Sequence, residues 1–567
     1  GTFGQSKSFI LPFLGEKTLM KHILTLLTGI LFLTGISTAQ VPDFVYPPEY
    51  EQHESTILTW DYNTNVDSTV ANIVNAVQEH AEVQVIYYPG QVPYDTNYIR
   101  QYIIDQGATP DNLRMIPAWT ETLWVRDYGP FVGYRKQIDG TYEREVIDTR
   151  YSAYNRPNDD SVPEQLADLW GMAESDLNLD FEGGNILFDG LGRAFGSRRI
   201  AWQNPQYTEE QVRQQIMDAF HLDDFVYLEP LLNCGGGIWA HVDMWMKIID
   251  NENILISEYP DWVPDYPVIE ANVQTVANLT NAFGRPYRIH RIPAPPNGNG
   301  NYPVTLNEEM RTYTNSLIMN DLVVLPSYGL ALDQEAKAVY EELFPGRSIE
   351  LVNASRLTVN YGAIHCITNE VPPSAFLRIL HAPIREGIPY QANVDIQGRL
   401  QTDDLTTTAR LHYRKIEEPM YTSVDLPVAE NLSFTGVVPD LAQNDTILYY
   451  LEAHQVDGTT RFDPAMGEEA ANMFWFGAPS SVGSVKRTVE VLTYPNPSTG
   501  YIQVEIDRSE VIQRVQLYSL DGRLLGTWPG QSFQLNLQIP AKIRSGLYIL
   551  EIQTERGLAQ SKIRLIR

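Results

Sequence analysis

Cys366 lies in the segment YGAIHCIT, directly after His365, and is one of only two cysteines in 567 residues. Upstream, WVRDYGP (124–130), FEGGN (181–185), AHVDMW (240–245) and TNSL (314–317) contribute Asp127, Glu182, His241, Asp243 and Asn315. These residue types suit attack of a thiol on a guanidinium group. A guanidinium is planar, permanently charged and rich in N–H donors, so carboxylates bonding in its plane fix both its charge and its orientation. Asp127 and Asp243 fit that role. The central carbon is a poor electrophile, so Cys366 has to react as a thiolate, helped by the substrate cation and an imidazolium. His241 would protonate the departing ammonia, then take a proton from the water that hydrolyses the covalent thiouronium. Asn315 would complete the cradle around the substrate. This chemistry needs no cofactor and no metal. A metal held by His241, Asp243 and His365 is the alternative account of the same residue types.

The elements that must position these residues repeat along the chain. After Glu182, NILFD and RAFGS flank Gly190–Gly192 as a hairpin; a helix starts at Thr208, whose capping box is completed by Gln211, and DFVYL follows as a strand. After Asp243, MWMKIID and ILISEY pair across 251–253, a helix follows near 267–283, and YRIHRI closes the unit. After Asn315, SLIMN and LVVLP pair across Asn320–Asp321, Asp333 can cap the helix EAKAVYEELF, and SIELV follows. After Asp127, FVGYRKQ and YEREVID pair across Asp139–Gly140, and Ser161 with Glu164 is expected to cap the next helix. A β-β-α-β unit recurring every ~60–70 residues cannot bury its face alone and should pack with its copies around a common axis. The candidate residues then fall at corresponding points, just before the first strand of each unit. An isolated His-x-Asp is more often a structural pair than a catalytic one; repetition at equivalent positions reverses that reading.

In this order, WVRDYGP, EGGN, AHVD, TNSL and IHCIT resemble the guanidino-group-modifying superfamily, in the branch holding agmatine deiminases and bacterial peptidylarginine deiminases. The resemblance covers roughly residues 42–385. It implies an α/β fold, a five-bladed pseudo-symmetric ββαβ propeller (pentein) with its active site on the axis. It also implies that Glu182 bonds His241 and favours its protonated form, and that Trp124, Arg126 and Arg156 bind substrate. The segment AYNRPNDD resembles a stretch in which two arginines flanking a proline grip a substrate carboxylate; here it contains Arg156 alone.

Other segments bear on location. Residues 20–39, MKHILTLLTGILFLTGISTA, read as a signal peptide preceded by an upstream extension, 1–19. The deiminase domain is expected over 40–385. Short alternating strands then suggest an immunoglobulin-like β-sandwich over 386–478, and APSSVGSVK opens a linker, 479–488. Residues 489–567 run from YPNP through DGR and GLY to a basic final strand, and resemble the C-terminal sorting domain of the Bacteroidetes type IX secretion system. That resemblance implies the secretion machinery as a partner and an exported protein, released or held at the cell surface. No transmembrane segment is expected in the mature protein.

A net charge of −30 argues against nucleic acid as a partner and suits a cationic substrate. Cys234 is expected to be a small packed residue, with a disulfide as the alternative. The main functional reading is a secreted deiminase converting peptidyl-arginine to peptidyl-citrulline and ammonia. The alternative is agmatine as substrate, giving N-carbamoylputrescine. A third reading keeps the propeller as an inactive surface scaffold.

Overall fold

A computed structural model describes residues 43–565, apart from 62–65, 91–94, 152–154, 234–240, 386, 478–490, 495–497, 507–510, 520–523, 541, 545 and 555–557. The expected signal peptide, the linker, Cys234, and parts of the YPNP, DGR and AYNRPNDD segments lie outside the described residues. The described residues fall into two compact units: those within 43–385, 392–441 and 445–474 form one, and those within 387–391, 442–444 and 475–565 the other.

The first unit carries five small sheets of one design. The strands are β1 (Phe44–Val45), β2 (Ser55–Thr59), β3 (Glu82–Tyr87), β4 (Leu113–Pro117), β5 (Phe131–Lys136), β6 (Tyr142–Arg150), β7 (Ala173–Asp180), β8 (Ile186–Phe188) and β9 (Arg193–Ser197). They continue as β10 (Asp224–Leu228), β11 (Met246–Ile248), β12 (Asn253–Glu258), β13 (Arg288–Pro293), β14 (Leu317–Met319), β15 (Leu322–Ser327), β16 (Ser348–Asn353) and β17 (Asn369–Val371). In four sheets an outer strand pairs antiparallel with a central one, which pairs parallel with the strand after a helix: β5-β6-β7, β8-β9-β10, β11-β12-β13 and β14-β15-β16. The fifth takes its outer strand from the far end of the sequence. β17, just after Cys366, pairs antiparallel with β2, which runs parallel to β3. The first and last parts of the five-sheet region thereby meet in one sheet.

Local sequence explains these elements. Every residue of β15, LVVLPS, is buried, as expected of a short strand covered on both faces. The helix Glu209–Phe220 has the expected capping box of Thr208 and Gln211, and buries Val212, Ile216 and Phe220 on one face. Truncating such a side chain to alanine costs about 2–5 kcal/mol. Two expected caps are corrected. Asp333 lies inside the helix Leu332–Leu343, and its carboxylate accepts from the backbone N–H groups of Tyr328 and Leu330 in the turn before it. Ser161 precedes the helix Val162–Trp170 but makes no capping bond, because its backbone is already turned by the short helix Pro157–Asp160. The helix expected to reach 283 ends at Ala277.

Beyond the five sheets, residues 377–476 form two largely antiparallel sheets. The strand Leu377–His381, placed by the sequence reading in the preceding domain, pairs with Val394–Thr402. Two more antiparallel sheets, formed by strands between Val491 and Leu565, make the C-terminal part β-rich. Among the described residues no helix is long and apolar enough to cross a membrane.

Candidate active site

Short helical turns precede most of the outer strands and present the candidate side chains. Asp127 is on Val125–Tyr128, Glu182 and His241 immediately precede the turns Gly183–Asn185 and Val242–Met244, and Cys366 is on His365–Ile367. The turns pack close together around Gly184. A Cβ there would lie 2.8 Å from Asp127 Oδ1, 2.9 Å from His241 Nδ1 and 3.1 Å from Asp243 Oδ2, so only glycine lets these groups converge.

His241 is buried between carboxylates, with Nδ1 3.3 Å from Asp127 Oδ1 and Nε2 3.1 Å from Glu182 Oε2. Burial pulls its pKa down, but Asp127 and Glu182 outweigh that and raise it to about 10. The ring is therefore an imidazolium at neutral pH. Sequence reasoning missed Arg199, which donates to Glu182 Oε1 at 3.2 Å and places Nη1 3.3 Å from His241 Nε2. Its only local signal is the SRR run at the end of β9.

Cys366 is almost wholly buried, with Sγ 3.8 Å from Asp243 Oδ2. Asn315 shapes its loop. Asn315 Oδ1 accepts from the backbone N–H groups of His365 and Cys366 at 3.0 and 3.3 Å, while Nδ2 donates to Sγ at 3.3 Å. Asn315 thus holds the cysteine loop in place. Burial, then Asp243 and Asp127, push the thiol's pKa well above its ordinary value, so the unliganded site holds a thiol, and the thiolate expected for attack has to form with the help of the substrate cation. The carboxylate of Asp243 is fully buried, and its Oδ1 has no hydrogen-bond partner among the described residues. An orphaned buried carboxylate oxygen beside a cysteine is prepared for a charged N–H donor.

The neighbouring His365 spans Asp243 Oδ2 and Glu49 Oε1, at 2.8 Å to each. Glu49, also missed from sequence, accepts from the fully buried Lys247 at 2.6 Å. Burial favours its neutral form, but His365 and Lys247 prevail and hold its pKa well below the usual carboxylate range.

The three residues expected from the resemblance to bind substrate divide. Trp124 packs its ring over Gly362, where a Cβ would come within 2.3 Å of Cζ3 and 3.2 Å of Cys366 Cβ, so it walls the cysteine loop. Arg126 is corrected: it is buried, pairs with Glu370 at 2.6 Å and donates to the His365 carbonyl, bracing the loop instead of facing a ligand. Arg156 donates to the Tyr151 hydroxyl at 3.3 Å and acts electrostatically on Asp159. The metal set considered from sequence does not assemble as a cluster. The metal-competent group next to the cysteine is Glu49, His365 and Glu370, whose two carboxylates already serve Lys247 and Arg126.

Residues 45–372 match the family profile described as Porphyromonas-type peptidyl-arginine deiminase, and residues 492–566 match that of a secretion system C-terminal sorting domain. A protein of Shewanella baltica provisionally named agmatine deiminase is 25% identical over 381 residues, covering 60% of this chain and 97% of that one. Among solved structures, the agmatine deiminase of Enterococcus faecalis superposes with a TM-score of 0.51 at 22% identity, over 58% of this chain and 96% of that one. A Porphyromonas gingivalis structure provisionally named arginine deiminase gives 0.51 at 21%, over 58% and 99%. These likenesses establish a pentein-like α/β fold.

Proposed function

Because the chain belongs to the Porphyromonas-type peptidyl-arginine deiminase family, we propose that this cysteine-dependent hydrolase of guanidino groups acts on agmatine or a closely similar alkylguanidine. The observation that carries the reading is the buried Asp243 carboxylate beside Cys366, with one oxygen unpartnered among the described residues. The guanidinium lies in the plane of Asp127 and Asp243. Its charge offsets the two carboxylates that help keep Cys366 protonated, so substrate arrival itself favours the thiolate, the thiol proton passing to solvent.

Sγ then bonds the central carbon; the C–N bond breaks, and ammonia leaves with the proton of His241. His241, now neutral and with a high intrinsic basicity, takes a proton from water. The hydroxide bonds the same carbon, the C–S bond breaks, and the remaining O–H proton passes to the departing sulfur, which restores the thiol and leaves a ureido product. Glu182 keeps His241 charged before attack, and Asn315 fixes the cysteine loop.

Support for a small substrate comes from relatives named agmatine deiminases that match over nearly their whole length. Peptidyl-arginine is the second reading, favoured by the family profile and by the sorting domain, which supports export to the cell surface. The five sheets are read as propeller blades around the site, and 386–478 as an immunoglobulin-like sandwich before the linker 479–488 and the sorting domain 489–567. Ureido product measured with agmatine, free arginine, a peptide ending in arginine and one with internal arginine tests the choice. The highest kcat/KM is expected on agmatine; a peptide turned over more efficiently would establish the second reading.

A further inference from the structure

Away from Cys366, the first unit contains a cleft of about 420 Å³ formed by the segments 47–52, 249–253, 342–347, 377–385 and 461–473. Its lining is partly apolar, with Phe344 and Met466 among the residues, and carries five arginines against four carboxylates, Glu51, Asp250, Glu342 and Asp463, in a chain of net charge −30. Two of the arginines are neutralised. Arg378 pairs with Glu51 at 2.6 Å, and Arg385 with Asp250 at 2.9 Å.

Arg347 and Arg461 have no carboxylate at ion-pair distance among the described residues. Arg347 donates Nη2 to the Tyr50 carbonyl and lies 5.5 Å from the Phe344 ring centroid, while its Nη1 is buried without a partner. Arg461 donates to the Thr460 carbonyl at 2.9 Å. From this geometry we infer that the cleft is a binding site for an organic anion with an apolar body, its acid group held by Arg347 and Arg461 and its body laid against Phe344 and Met466. Charge supports the assignment. Burial pulls the pKa of Arg347 down to about 10 despite Asp321 and Asp250, and lowers that of Arg461 too, as expected of guanidinium groups lacking a counter-ion. A carboxylate or sulfonate would supply charge-assisted bonds that no protein group provides.

The test titrates the full chain with the fluorescent probe 8-anilino-1-naphthalenesulfonate. Saturable binding at one site is expected, weakened about tenfold or more in Arg347→Gln and in Arg461→Gln, the scale of one lost charge-assisted bond. Arg410→Gln, on an exposed strand, should leave it unchanged. Turnover of the preferred guanidine should persist in all three variants, showing that they fold. Decanoate should displace the probe from the wild-type chain where 1-decanol does not, a comparison that stands even if a variant misfolds. Probe affinity unaltered by both arginine substitutions, or equal displacement by acid and alcohol, would overturn the site.

Discussion

Two buried histidines in this protein are each clasped by two carboxylates, yet the surroundings give them different work. His241 sits between Asp127 and Glu182, with Arg199 behind it, and its carboxylate Asp127 is the more open of the two. His365 sits between Asp243 and Glu49, and Glu49 also carries Lys247. In the proposed reaction the first histidine is a proton reservoir for the reacting group. The second is a strut, tying the residue before the nucleophile to the carboxylate that waits for substrate. The same three-residue chemistry is therefore not by itself a catalytic signature; what decides is which atom of the cluster is left for a ligand.

Removing the nucleophile should have the largest effect on the catalytic side of this contrast. Cys366→Ala is expected to abolish ureido product while leaving the thermal unfolding midpoint nearly unchanged; clear residual turnover would end the covalent scheme. His241→Asn should lower kcat by about 10²–10⁴-fold, the usual worth of a positioned acid and base, and should also lose the stability that the charged ring contributes. His365→Asn should instead act mainly on stability. It leaves the buried Asp243 charge without its partner, a change of about 3–5 kcal/mol in denaturant unfolding. Turnover lowered as far in His365→Asn as in His241→Asn would erase the distinction drawn here.

A subtler test uses pH. His241 must be charged to give its proton, and it is charged below about 10, so activity should fall as pH rises through that value. Glu182→Gln removes one of the two carboxylates that raise this pKa, and the alkaline limb of kcat should move to lower pH. The same raised value fixes the sign for folding. The stabilisation from charged His241 is complete below the ordinary histidine value of about 6.5 and is lost as pH climbs through about 10. An unmoved alkaline limb in Glu182→Gln would mean that another group controls it.

Much of the local structure could be read before any coordinates. The hairpin around Gly190–Gly192 and the Thr208–Gln211 capping box depend on neighbours within a few residues, and both stand where expected. Ser161 and Asp333 had equally good local patterns and failed as caps, because a preceding turn and the Tyr313 hydroxyl with nearby amides claimed those groups first. Arg126, read as a ligand contact from its motif, turned inward because a buried acid, Glu370, met it.

By itself the sequence determined the repeated β-β-α-β order and the set of thiol, imidazole and carboxylates, since turn chemistry, periodicity and residue type are local properties. It also implied, through the cysteine among acids, a cationic substrate. Only the tertiary structure decided how those groups divide their labour. Glu49 reaches His365 from 316 positions away, and the strand after Cys366 is completed by β2 near the start of the chain. A buried charge takes its role from whichever opposite charge the fold brings within about 3 Å, and no local pattern records that distance.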